Sequence, residues 1–401
     1  IFPRGLEMSK FDLKFEELFL LSSVALHINR SHPSIVRDYI WMCQFLLIVT
    51  TSFTSCIFLL YSILFHDVKS GKIAEASKNA TMVIVCFTIT FKYIMLLKHQ
   101  QSINDIISIV QNDYNIAKDY TEEEKAIVLN YAKRGVTVCR FWLVFGFGTS
   151  SIFPLKAFAM MGYSYWQGEF VLVPMFDLTY PERIEVYKDY TPVFWSLFLL
   201  CIIFGIYASS MYVGFDPLVP IFMLHTCGQL DLLSRRITKA FVDAEDSTEI
   251  KENLKTVILK QQELYSLVNR IKNNFHVFYE YNMKATTFIL PLASLQIVDV
   301  NRSINIEFIS FFIGCTLHFY MPCYYSDLLM ETSEKFRQNI YSCGWEKYPD
   351  KRLRHIVLFM LTRARDPMGI RTVFNVMNLD TFAQMCRQSY GILNLINAAC
   401  T

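Results

Sequence analysis

The chain has 401 residues, of which 53% are apolar, 34 are phenylalanine and 18% are charged. A soluble domain would struggle to hide that much apolar surface, so composition points to one integral membrane unit surrounded by lipid rather than to two or three soluble domains. The formal net charge of +2 leaves no electrostatic footprint for nucleic acid.

Residues 1–38 read as a cytoplasmic N-terminal segment, because Arg4, Glu7, Lys10, Asp12, Lys14, Glu16 and Glu17 interrupt any apolar run of the signal-peptide type. Residues 39–215 read as four transmembrane helices. The first, from Tyr39 to Phe65, is an uncharged run of about 27 residues, about 40 Å as a helix and long enough to require tilt. The second covers 77–97, the third 137–162 and the fourth 191–215. Lys78, Lys92, Arg140 and Lys156 lie near the ends of the second and third, where long cationic side chains are expected to snorkel to headgroups. Between the third and fourth, a loop at 163–190 rich in Tyr, Trp and acidic residues is placed to cap a pocket from outside.

Residues 216–277 read as cytoplasmic amphipathic helices. Leu254, Ile258, Tyr265, Val268, Ile271 and Phe275 recur at helical spacing, with Lys251, Glu252, Lys255, Lys260 and Arg270 on other faces. That stripe suits a helical hairpin packed on its own subunit and an oligomerisation seam equally well. Two more spans follow within 278–330, then a cytoplasmic linker at 331–377 and a last helix in 378–401. The last helix places Gln384, Arg387, Gly391, Asn394 and Ala398 on one face. Such a stripe is a candidate pore wall, or else packs against neighbouring helices through hydrogen bonds.

Charge sidedness orients these spans. Roughly two dozen Lys and Arg residues fall in the N-terminal segment and in alternate connections, against about half a dozen in the others, which puts the N-terminus inside and the C-terminus outside. No HExxH, Walker, GxSxG or paired CxxC pattern is present, and the eight histidines are scattered, so neither an enzyme nor a metal or cofactor site is expected. Cysteines such as Cys43, Cys56, Cys86, Cys139, Cys201, Cys315, Cys323 and Cys386 fall in or beside spans and read as small hydrophobes. Asn79-Ala80-Thr81 and Asn301-Arg302-Ser303 match the glycosylation acceptor pattern at the membrane edge.

The final third carries a recognisable arrangement: Ser326-Asp327-Leu328-Leu329, Tyr341 and Trp345 in a Tyr-three-residues-Trp spacing, Pro367, Leu379-Asp380-Thr381-Phe382, and Ser389-Tyr390. Gly228-Gln229-Leu230 followed by Arg236-Ile237 adds to it. The chain resembles the insect odorant receptor family, all-α polytopic proteins with seven transmembrane helices inverted relative to G-protein-coupled receptors. Gustatory receptors share the layout but usually end in a Thr-Tyr pair followed by Gln-Phe, which Ser389-Tyr390-Gly391 does not match.

The resemblance implies the odorant-binding subunit of a ligand-gated, non-selective cation channel. Its partners would be an odorant coreceptor in a heterotetramer, a small hydrophobic volatile and membrane lipid, in the plasma membrane of olfactory sensory neurons. It implies a subunit anchor at Tyr341, Trp345, Leu379, Phe382, Ser389 and Tyr390, and a pore and gate at Asn394, Leu395, Ala398 and Ala399. The two alanines where the coreceptor has a polar and a bulky residue suggest a tuning subunit. The family's pocket, between spans two, three, four and six, maps by depth onto Ala80, Ile84, Phe147, Ser150, Phe153, Trp195, Phe198, Phe311 and Cys315. A pheromone-tuned member is a variant of this reading. A G-protein-coupled receptor is the alternative from another class, disfavoured by the charge sidedness and by the lack of Asp-Arg-Tyr and Asn-Pro-x-x-Tyr motifs.

Overall fold

The computed structural model describes residues 12–244, 246–297 and 306–400, which are helical with no strand among them beyond one isolated bridge, Arg371 to Val376. In chain order the helices are α1 (Phe15–Leu18), α2 (Leu20–Ile28), α3 (Tyr39–Tyr61), α4 (Ile73–Lys98), α5 (Gln100–Ile116), α6 (Glu122–Trp166) and α7 (Glu182–Glu185). They continue as α8 (Thr191–Phe215), α9 (Leu218–Val242), α10 (Ser247–Ile297), α11 (Ile306–Tyr341), α12 (Lys351–Arg363) and α13 (Leu379–Cys400).

Over its described residues, each of the seven expected spans falls on helix. Four stretches are long and apolar enough to cross a membrane on composition alone: Tyr39–Asp67, Ala74–Lys98, Glu122–Trp166 and Thr191–Val242. In α10 the polar residues that lower the apolar average, Asn282, Thr286, Thr287 and Gln296, are buried against protein. On α13, Gln384, Arg387, Gln388 and Asn394 are exposed, while Ser389 is buried.

Local chemistry sets the helix starts. Asp38 accepts from the Trp41 amide at 2.7 Å to open α3, Thr121 and Glu124 form a capping box on α6, and Asp350 accepts from Arg352 N to open α12. Hydropathy had marked only the apolar halves of α6 and α10. The helices themselves run 45 and 51 residues, about 68 Å and about 77 Å, so each joins a polar layer to an apolar half on one continuous helix. Leu254, Val268, Ile271 and Phe275 of α10 are all buried within this chain, so most of the amphipathic stripe packs on its own subunit.

A buried ionic cluster ties that polar layer together. Asp113 of α5 takes His225 Nε2 of α9 at 2.9 Å and Lys260 Nζ of α10. Burial alone would raise the Asp113 carboxyl, but His225 and Lys260 outweigh it and hold the group below its ordinary value of 3.8. Because the folded value is lowered, this stabilisation is complete above 3.8 and is lost as pH falls through the folded value. Asp113→Ala is expected to cost about 2–3 kcal/mol, since it leaves the buried His225 Nε2 without its partner, while Lys260 keeps Glu263 at 3.0 Å. Urea or thermal unfolding of purified protein checks this, and an unchanged midpoint would contradict it.

Two expectations are corrected here. Asn79 is buried, with Nδ2 donating to Asp67 at 2.8 Å, and is no acceptor for a surface sugar; Asn301 lies outside the described residues. The second correction concerns Lys92. It does not snorkel: its side chain is 0% exposed and is paired inside the protein. Arg140 and Lys156, by contrast, are exposed.

Candidate functional site

Five helices and one loop enclose a cavity of about 120 Å³. That is roughly ten times the space one water molecule needs, which suits a compact organic molecule. Met82, Val85 and Thr88 of α4 face it, with Trp142, Gly146, Ser150 and Phe153 of α6 opposite. Helix α8 contributes Phe204, Gly205, Ala208 and Tyr212, α10 contributes Asn282, Thr286 and Ile289, and α11 contributes Phe311, Gly314, Cys315 and His318.

Two glycines make the room. A Cβ built on Gly205 would meet nothing within 4 Å, and one on Gly314 only Thr149 Oγ1 at 3.9 Å. The wall hydroxyls are internally satisfied: Ser209 donates to Ser150 at 2.5 Å, and Thr149 pairs with Ser310 at 3.1 Å.

The loop expected to cap a pocket does so. Its Met175 and Phe176 line the cavity, with Phe176 5.4 Å from the Phe153 ring. The anchoring is polar and local. Helix α3 ends in a π-helical turn, Ser62–Asp67, which buries Ser62 and Asp67; Ser62 Oγ accepts from the loop amide of Thr179 at 3.1 Å. Tyr180 closes the contact edge-on against Phe58 at 5.2 Å. Such turns interrupt helices frequently at functional sites.

Beneath the cavity, Trp142, Tyr212 and His318 pack ring against ring at 5.1–6.5 Å. Under them lies the buried ion pair, Lys92 Nζ to Asp216 Oδ1 at 2.8 Å, with His318 Nε2 3.2 Å from Asp216 Oδ2. The Lys92 ammonium stands 3.6 Å from the centre of the Tyr212 ring, a cation–π contact that fixes the floor.

Of the residues placed in the pocket from sequence, Ser150, Phe153, Phe311 and Cys315 line this cavity. Phe198 lines a second, outer cavity behind the loop. Ala80, Ile84 and Phe147 do not line it, and Trp195 is 41% exposed, stacked on Phe158. Depth along the bilayer was readable from sequence, but rotation about the helix axis was not. The contribution of α10 was missed altogether.

At the other end of the chain, α13 packs on α10 and α11. Ser389 Oγ donates to Thr287 O at 3.1 Å, and Phe382 meets Tyr320 edge-on at 5.3 Å. Its opposite face, Gln384, Arg387, Gly391, Asn394 and Ala398, is left uncovered, and Leu395 is 72% exposed. The Ala399 side chain lies outside the described residues. Trp345 Nε1 donates to Tyr341 O at 2.9 Å, so the Tyr-three-residues-Trp spacing forms a local clasp at the end of α11. No group of three His, Cys, Asp or Glu able to hold a metal occurs among the described residues.

Residues 72–390 match the family model described as 7tm Odorant receptor. The chain belongs to the odorant receptor family. Among relatives, Odorant receptor 13a of Drosophila melanogaster is 24% identical over 225 residues, 52% of each chain, so the match spans about half of that relative's length. Odorant receptor 10a of the same fly is 20% identical over 69% of this chain and 70% of its own. The fold of this odorant receptor chain is that of the insect olfactory receptor OR5 from Machilis hrabei, solved in complex with eugenol. That structure has a TM-score of 0.73 at 13% identity and covers 96% of this chain and 97% of the other. It is thus an all-α, polytopic membrane receptor.

Proposed function

We propose that this chain is the odorant-binding subunit of a ligand-gated, non-selective cation channel assembled with the odorant coreceptor. In this reading the N-terminus is cytoplasmic and the C-terminus external, in the plasma membrane of olfactory sensory neurons. The observation that carries it is the apolar cavity whose walls include α10 and α11, the same two helices that support α13. A ligand in the cavity touches helices that hold α13 from behind, while the polar face of α13 is bare and available to line a pore with other subunits. Opening then requires the ligand to favour one packing of α10 and α11 over another. The OR5 complex with eugenol supports a fold that accepts a small organic ligand.

Cavity size favours a compact odorant over a long-chain pheromone. A ligand burying about 300 Å² gains roughly 7 kcal/mol by apolar transfer before association costs, enough for micromolar sensitivity.

The pore assignment is tested at Leu395. In cells expressing the chain with a coreceptor, Leu395→Ala is expected to shift relative ion permeability or basal current while the rank order of odorants is kept. Unchanged permeation and basal current under every ionic condition would remove α13 from the pore.

A further inference from the structure

The cavity is apolar on its walls but carries two unused donors. Trp142 Nε1 and Asn282 Nδ2 have no hydrogen-bond partner, although the residues are only 3% and 1% exposed and both line the cavity. A buried polar group without a partner is costly, and native interiors pair nearly all of them. Among the other polar side chains around the cavity, Thr88 donates to Ile84 O at 2.8 Å and Ser150 is held by Ser209; His318 Nε2 also makes no hydrogen bond, but it stands 3.2 Å from Asp216 Oδ2 and so already faces a carboxylate. Both unused groups are donors, and what they lack is an acceptor.

Charge narrows the class further. No Lys, Arg, Asp or Glu lines the cavity among the described residues, and the nearby Lys92 and Asp216 neutralise each other. An ionised ligand would be buried without a counter-charge. We propose that this receptor is tuned to a neutral molecule with an apolar body and an acceptor oxygen, as in a ketone, aldehyde or ester. That oxygen is taken by Trp142 Nε1 and Asn282 Nδ2, which makes these two residues specificity determinants. The proposal rests on the cavity being the ligand site.

The test separates oxygen recognition from apolar burial. Heptan-2-one and heptane are compared by displacement of a fluorescent apolar reporter from the purified full-length chain and from Trp142→Phe and Asn282→Leu. Trp142→Phe or Asn282→Leu is expected to weaken heptan-2-one about tenfold, equivalent to about 1.4 kcal/mol, and to leave heptane within about twofold. Two variants guard against one failing to fold. Equal changes for both compounds, or none for either in both variants, would overturn the proposal. The cavity-filling variant Gly205→Leu identifies a different failure. If it displaces neither compound's binding, the ligand sits elsewhere and both the cavity reading and this inference fall together.

Discussion

Lys92→Met is expected to destabilise the receptor strongly and to lower its surface expression. Lys92 and Asp216 are buried at 2.8 Å, and removing one partner of such a pair costs about 3–5 kcal/mol because the other charge is left in a dry interior. That is a large part of the roughly 5–15 kcal/mol that ordinarily holds a domain together. His318, 3.2 Å from Asp216, remains to share the carboxylate, which puts the loss toward the lower end of that range. Lys92→Met combined with Asp216→Asn should recover most of it, since no buried charge is then stranded. Thermal unfolding of the purified single and double variants measures this. A single variant as stable as the parent, or a double variant that is merely the sum of two losses, would show that the pair is not an energetic unit.

Gly205→Leu is expected to remove odorant sensitivity while sparing the fold. Its Cβ would enter open space, and leucine is the better helix former by nearly 1 kcal/mol, so α8 gains rather than loses. The added carbons occupy the cavity itself. The half-maximal concentration should rise about a hundredfold or more, corresponding to about 2.7 kcal/mol, with unitary conductance unchanged because α13 is untouched. Unaltered sensitivity would move the ligand elsewhere, with the outer cavity between Lys72, Asp177 and Phe198 the next place to look.

The helices were legible because lipid demands long apolar runs: α3 begins at Tyr39, where the uncharged stretch begins, and α8 spans Thr191–Phe215 as expected. Hydropathy reports where lipid ends, not where a helix ends, which is why Glu122 and Ser247 were invisible as starts. The cavity was legible in depth through Ser150, Phe153, Phe311 and Cys315. Met82 and Val85 were missed in favour of Ala80 and Ile84 because α4 is apolar nearly all round and gives no rotational signal. Lys92 was misread for a related reason. Near a helix end a lysine suits the headgroups, and its partner Asp216 is 124 residues away, a pairing only the packed structure reveals. The donors Trp142 and Asn282 look like ordinary core residues until their neighbours are known. The polar face of α13, by contrast, was legible as a face in its three-to-four spacing, although the spacing left open whether it packs on neighbouring helices or stays exposed.

In the proposed mechanism, ligand binding in this chain opens a cation path shared with a coreceptor. The most direct test is whole-cell current from cells expressing the chain with and without an insect odorant coreceptor, challenged with neutral ketones, aldehydes and esters while G-protein signalling is blocked. A rapid cation current that requires both subunits and persists under the block is the predicted result. A response that disappears with the block, or that needs no second subunit, would contradict it.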